Sequence, residues 1–179
     1  MGKIRLLCAA TFSLLLFINS RCKKSDAEPQ LPPETTTGAG TFGCKVNGKI
    51  FIPKSGGGQP GLYADYVYYN TGPGAGWYLN IVAIYNQSSN STTVNIVTDS
   101  LFLEEGHIYD LKEKKGFAAG RYSYGLNAYE MRMIDSGKMT IVKHDQTKRI
   151  LSGNFWFNAK SLFDTSIVKI TEGRFDIIY

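Results

Sequence analysis

Cysteine and histidine are scarce in this chain of 179 residues, with three of the first and two of the second. No stretch approaches the ~20 consecutive apolar residues that a helical bilayer span needs. The longest, residues 6–18, has thirteen, which excludes a multi-span membrane protein. The glycine run Gly56-Gly57-Gly58 is not followed by Gly-Lys-Ser/Thr, so it is no phosphate loop, and no serine sits in a nucleophile elbow. Neither sign of charge dominates, with 20 basic and 15 acidic residues. At 43% apolar and 20% charged the chain is neither wholly disordered nor collagen-like.

What is abundant is aromatic and glycine: Tyr 11, Phe 10 and Trp 2, beside 19 glycines. That mixture suits many short strands joined by turns. The N-terminus is different in kind. Lys3 and Arg5 precede the apolar run, which ends Leu14-Leu15-Leu16-Phe17-Ile18. As a helix it reaches roughly 20 Å, too short for a permanent span and suited to the core of an export signal.

Cys22 follows directly, in Phe17-Ile18-Asn19-Ser20-Arg21-Cys22-Lys23-Lys24. The segment resembles the signal and lipobox of bacterial lipoproteins. The Cys-Lys-Lys start, with Ser25, Asp26 and Glu28 behind it, is similar to lipoproteins of the Bacteroidetes. The resemblance implies removal of residues 1–21 and acylation of Cys22. Arg21 stands where the family usually has Gly, Ala or Ser, and ordinary cleavage after Ala27 is the rival. Each buried methylene contributes ~0.8 kcal/mol, so several acyl chains hold a protein firmly to a membrane where one does not. Loss of Lys3, Arg5 and Arg21 leaves 17 basic and 15 acidic residues, net +2, and a nucleic-acid partner loses its support. Cys44 is then the one free thiol, so no internal disulfide is expected.

Residues 22–40 lack hydrophobic periodicity and carry Pro29, Pro32 and Pro33, which predicts a solvated, flexible tether. The body, residues 41–179, has the period of strands. Asn47-Gly48 between 44–46 and 49–52 predicts a hairpin with a type I′ turn. Strands are expected over 62–70, 77–85, 92–98, 127–135, 138–144, 149–158 and 166–179, with 77–85 central and 110–115 a loop or single turn. About ten strands and no helix after the signal predict one all-β domain, an antiparallel β-sandwich or β-barrel. The last strand is expected to close against the first hairpin, bringing Phe42 or Val46 near Phe175.

The body also resembles an uncharacterised family of small Bacteroidetes lipoproteins. The resemblance is carried by Leu31-Pro32-Pro33-Glu34-Thr35, Thr41-Phe42-Gly43-Cys44-Lys45-Val46-Asn47-Gly48-Lys49, Ser152-Gly153-Asn154-Phe155-Trp156-Phe157-Asn158-Ala159 and Ile170-Thr171-Glu172-Gly173-Arg174-Phe175-Asp176. It implies a lipoprotein with an all-β body, and supplies no chemistry. Read from the residues alone, Gly153 and Gly173 permit a bulge or close approach of strands, Phe155 and Phe157 pack in the core, and Glu172, Arg174 and Asp176 form a solvated charged face.

Candidate chemistry is thin. Glu104-Glu105-Gly106-His107-Ile108-Tyr109-Asp110 is the densest ionisable stretch. A loop there could gather Glu105, His107 and Asp110, but their spacing matches no specific metal motif, and no metal, cofactor or catalytic residue is assigned. Cys44 reads as a small buried residue. The best lead is aromatic: Tyr63, Tyr66, Tyr68, Tyr69, Trp77, Tyr78 and Tyr85 occupy two consecutive expected strands. Tyr66 and Tyr68 are expected on one strand face and Trp77 and Tyr85 on another, as a surface for a glycan, a small apolar ligand or an envelope protein. The expectation is a lipid-anchored, non-enzymatic binding module of the cell envelope, tied to the membrane through Cys22. An envelope hydrolase and a structural accessory of an envelope complex are the alternatives.

Overall fold

A computed structural model describes residues 29–86, 90–125, 132–161 and 165–179, with the backbone alone at 132–135. Ten strands and no helix are present among them: β1 (Thr41–Val46), β2 (Lys49–Phe51), β3 (Leu62–Tyr69), β4 (Gly76–Tyr85), β5 (Thr92–Thr98), β6 (Ile108–Asp110), β7 (Ala118–Tyr124), β8 (Arg132–Asp145), β9 (Ile150–Lys160) and β10 (Ile167–Ile178). They form two antiparallel sheets, β2-β1-β10-β9-β8-β6 and β3-β4-β5-β7. The molecule is an all-β sandwich rather than a single closed barrel.

Alternation makes the core. Leu79, Ile81 and Ala83 of β4 and Val94 and Ile96 of β5 project from the four-stranded sheet. Phe42, Met139, Ile141, Phe155, Phe157, Phe175 and Ile177 project from the six-stranded one, and all are buried. A buried aliphatic or phenyl side chain stabilises by roughly 1.5–3 kcal/mol over its exposed state, so this interior holds the fold without a disulfide. β4 lies between β3 and β5, the central place expected of it.

Asn47 and Gly48 join β1 to β2 with φ of 48° and 81°, the two positive values of a type I′ turn. β10 pairs with β1, setting Phe42 opposite Phe175 and Val46 opposite Ile170, so the end of the chain closes on its first hairpin. On β9 and β10 two cross-strand pairs are reciprocal, Gly153 with Phe175 and Phe155 with Gly173. A Cβ on Gly173 would collide with the Phe155 ring, and one on Gly153 with the Thr140 carbonyl and the Phe175 ring. Each phenyl occupies the space that its partner glycine leaves empty.

Three expectations need correction. Residues 108–110 form β6, paired with 138–140 of β8, so Asp110 ends a short edge strand instead of opening a loop. Asp176 is not solvated but 1% exposed. It is covered by residues 35–39, which were expected in the flexible tether. The strap formed by residues 31–40 folds back over the outward side of β1 and β10, with Pro32 against Gly43 and the Arg174 guanidinium donating to the Pro32 carbonyl at 3.3 Å. Of the strand expected at 127–135, residues 127–131 lie outside the described residues, as do residues 1–28, and 132–135 open β8.

Candidate functional site

Tyr66, Tyr68, Trp77 and Tyr85 project from one face of the four-stranded sheet, not from two. Antiparallel pairing sets Tyr68 opposite Trp77 and Tyr66 opposite Leu79, and directly opposed residues share a side. That side faces the other sheet. Tyr66 is 2% exposed. Its ring stacks on Trp77 at 4.9 Å and meets His144 and Tyr179 edge-on at 5.4 Å each. Its hydroxyl accepts from the Leu103 amide at 2.9 Å and donates to the Leu101 carbonyl at 3.3 Å. Burial pushes the Tyr66 phenol well above its ordinary pKa. Tyr66 is a core residue that ties the sandwich to the segment after β5. Tyr85 stands eight residues from Trp77 along β4, roughly 26 Å away, where Lys54 lies over its ring. Of the four, Tyr68 and Trp77 remain together at the rim, 5.3 Å apart and beside the exposed Phe102.

The opposite, outward face of the same sheet holds a groove of about 540 Å³. Its floor follows from register: Asp65 beside Asn80, Asn80 beside Val97, Val97 beside Ala119. One step along, Val67 stands opposite Tyr78, and the Tyr69 ring meets Tyr78 edge-on at 5.3 Å. The small side chain of Ala119 gives the floor its depth. The segment between β6 and β7 builds the wall. It is fixed by the Lys112 amide donating to the Ala118 carbonyl at 2.7 Å, by the Gly116 amide donating to the Asp99 carbonyl and by the Asp99 amide donating to the Phe117 carbonyl.

Charge in the groove is mixed. Arg121 holds Glu113 through two bonds, at 2.8 and 3.1 Å. Lys115 donates to the Pro73 carbonyl at 2.6 Å, drawing the loop after β3 to the wall. Lys112 and Lys114 both lie over the Phe117 ring. The Tyr78 hydroxyl donates to the Gly74 carbonyl at 2.5 Å, which fixes the ring as a rigid platform. Tyrosine faces beside an amide, carboxylates and a guanidinium offer both an apolar surface and hydrogen-bonding groups to a polar ligand. Of the aromatic cluster, Tyr69 and Tyr78 line this groove, on the other parity from Tyr66, Tyr68, Trp77 and Tyr85. The signal for Tyr69 and Tyr78 was the polar residues alternating with the core set, Asp65, Asn80 and Arg121.

The ionisable stretch 104–110 is dispersed. Glu105 accepts from the His144 amide at 3.1 Å and pairs with Lys143 at 3.2 Å, and these contacts hold its carboxyl below the usual range. Asp110 pairs with Lys138 at 2.9 Å, and the His107 ring lies 4.4 Å from that of Tyr109. Among the described residues no three of His, Cys, Asp and Glu come together as a metal site. His144 donates Nδ1–H to the Leu103 carbonyl at 2.6 Å, and its Nε2 lies 3.0 Å from the Tyr179 hydroxyl. Cys44 is fully buried, and burial raises its thiol to about 12. Ser55 accepts from the Gly61 amide at 3.0 Å inside its glycine loop. Comparison of the chain with protein-family models, with curated proteins and with solved structures finds no match.

Proposed function

We propose that this chain is a cell-envelope lipoprotein, acylated at Cys22, whose β-sandwich binds a glycan in the groove on the outward face of β3-β4-β5-β7. The anchor rests on the charged-then-apolar N-terminus that closes on Cys22. The binding role rests on the groove, and the observation that carries it is the placing of Tyr69 and Tyr78 beside Asp65, Asn80 and Arg121 across neighbouring strands. A sugar ring presents a C–H face suited to a tyrosine face and hydroxyls suited to carboxylate, amide and guanidinium. The mixed charge of the wall fits a neutral sugar chain better than a polyanion. Binding, not bond cleavage, is the activity these groups support.

A glycan array probed with the mature protein tests the ligand. Binding that is lost in Tyr78→Ala and in Asn80→Ala, and kept in Tyr85→Ala, supports the groove. No binding to any glycan, or binding indifferent to Tyr78, overturns it. Mass spectrometry of native material tests the anchor independently, since an unmodified Cys22 removes it.

A further inference from the structure

The outward face of the six-stranded sheet divides into two halves. The strap covers the β1–β10 half, with Glu34 reaching Arg174 at 3.8 Å and Asn154 at 3.4 Å. The β9-β8-β6 half is bare and carries three large apolar side chains. Ile108 is 56% exposed, Val142 43% and Trp156 38%. Register brings Ile108 and Trp156 together, because Ile108 lies opposite Thr140, Thr140 opposite Asn154, and Lys138 opposite Trp156, while Val142 stands at the bulge between Ile141 and Lys143. A recess of about 350 Å³ lies between Ile108, Trp156 and Arg174.

We infer that this face rests on the surface of a lipid bilayer, with Trp156 and Ile108 entering the headgroup region. The inference depends on the anchor at Cys22 proposed above. Two observations choose a bilayer as the occupant. The first is where the chain leaves the fold. Leu31 and Pro32 lie against Gly43 on this same face, and nine residue steps separate Leu31 from Cys22. Even fully extended, that length reaches no more than about 32 Å. An acylated Cys22 therefore draws this face to the membrane first and leaves the groove of the opposite sheet pointing away from it. The second is the chemistry of the patch. A tryptophan and two aliphatic side chains, with Lys138 opposite the indole and Lys143 beside Val142, match the composition that settles at a bilayer interface. Both lysines are paired on the surface, Lys138 with Asp110 at 2.9 Å and Lys143 with Glu105 at 3.2 Å, so the indole and the aliphatic side chains, not net charge, carry the match.

The test uses the full mature chain with phosphatidylethanolamine–phosphatidylglycerol vesicles whose acyl chains are brominated. The protein has two tryptophans, Trp77 and Trp156. In Trp77→Phe the remaining indole is Trp156, and its emission is expected to shift to the blue and be largely lost to bromine. In Trp156→Phe the remaining Trp77 is expected to stay bright. Should Trp77→Phe fail to fold, because Trp77 stacks on buried Tyr66, the loss seen in wild type and absent in Trp156→Phe supplies the same reading. A chain that floats with the vesicles while Trp156 remains unquenched keeps the anchor and overturns the surface. A chain without lipid that is still quenched when vesicles are added keeps the surface and overturns the anchor. Neither flotation nor quenching overturns both.

Discussion

The hydroxyl of Thr35 donates to the carboxylate of Asp176 at 2.6 Å, across 141 positions of sequence. The amides of Thr37, Gly38 and Ala39 and the hydroxyl of Ser152 converge on the same two oxygens at 2.8–3.1 Å. One buried carboxylate thus clasps the strap to the last strand. It explains how a segment without hydrophobic periodicity holds a fixed course over the sheet.

Asp176→Asn keeps the shape but turns an amide N–H₂ toward groups that themselves donate. A loss of about 3 kcal/mol is expected, read from urea unfolding, together with faster proteolysis within residues 31–40. An unchanged midpoint with an uncut strap would show that the clasp contributes nothing.

The same carboxylate sets an acid limit. Burial raises its pKa, but the hydrogen bonds from Thr35, Ala39, Thr37 and Ser152 outweigh burial and bring it from 3.8 down to about 2. A folded-state value below the unfolded one stabilises the protein above the unfolded value. The contribution, about 2 kcal/mol, is lost as pH falls from near 4 through about 2. Stability measured between pH 6 and 2 is expected to drop in that window in wild type, and to drop less in Asp176→Asn.

The reciprocal glycines are expected to couple with their phenylalanines. Gly173→Ala places a methyl in the Phe155 ring and costs about 1–3 kcal/mol, and Phe155→Leu made with it recovers part of that loss. Gly153→Ala meets the backbone carbonyl of Thr140, which has no rotamer to yield, so Phe175→Leu is expected to relieve it less. Double-mutant cycles in urea read both. Equal rescue at the two sites would contradict the geometry.

Tyr66→Phe removes the acceptor of the buried Leu103 amide. A loss of about 1–3 kcal/mol is expected with glycan binding unchanged, because the ring lies on the inner face and the groove on the outer. Diminished glycan binding by a folded Tyr66→Phe would move the ligand to the rim where Trp77 stands.

Cys44 reports on Cys22. With its thiol fully buried and raised to about 12, Cys44 holds on the order of one part in ten thousand as thiolate at pH 8. Native mature protein is expected to show no thiol reacting with an aromatic disulfide, and one after unfolding. Rapid reaction of a thiol in the native state would reveal an unmodified Cys22.

Much of the architecture was legible in local signals. Period two over 77–85 and 92–98 and Asn47-Gly48 with its two positive φ angles depend on neighbours in sequence, and each appears in the fold, whereas the glycines expected to allow close strand approach find their phenylalanines across the β9–β10 pair. The aromatic cluster was legible as residues of two consecutive strands, but not which of its faces meets solvent. Alternation along β3 and β4 separates Tyr66, Tyr68 and Trp77 from Tyr69 and Tyr78, but it does not say which set the second sheet will cover. Once β8, β9 and β10 pack beneath the four-stranded sheet, Tyr66 becomes core and the polar set of opposite parity becomes the wall and floor of a groove.

The sequence by itself determined that the body is built of strands, that it holds without a disulfide, and that a cysteine closes the charged-then-apolar beginning of the chain. Tertiary structure alone decided that Asp176 is buried, that residues 31–40 lie on the body, and which tyrosines meet solvent. The reason is range. A turn or an alternation is set by residues a few places apart, whereas the clasp and the covered face join groups far apart in sequence, whose meeting depends on the course of the strap over β1 and β10 and on how the two sheets stack.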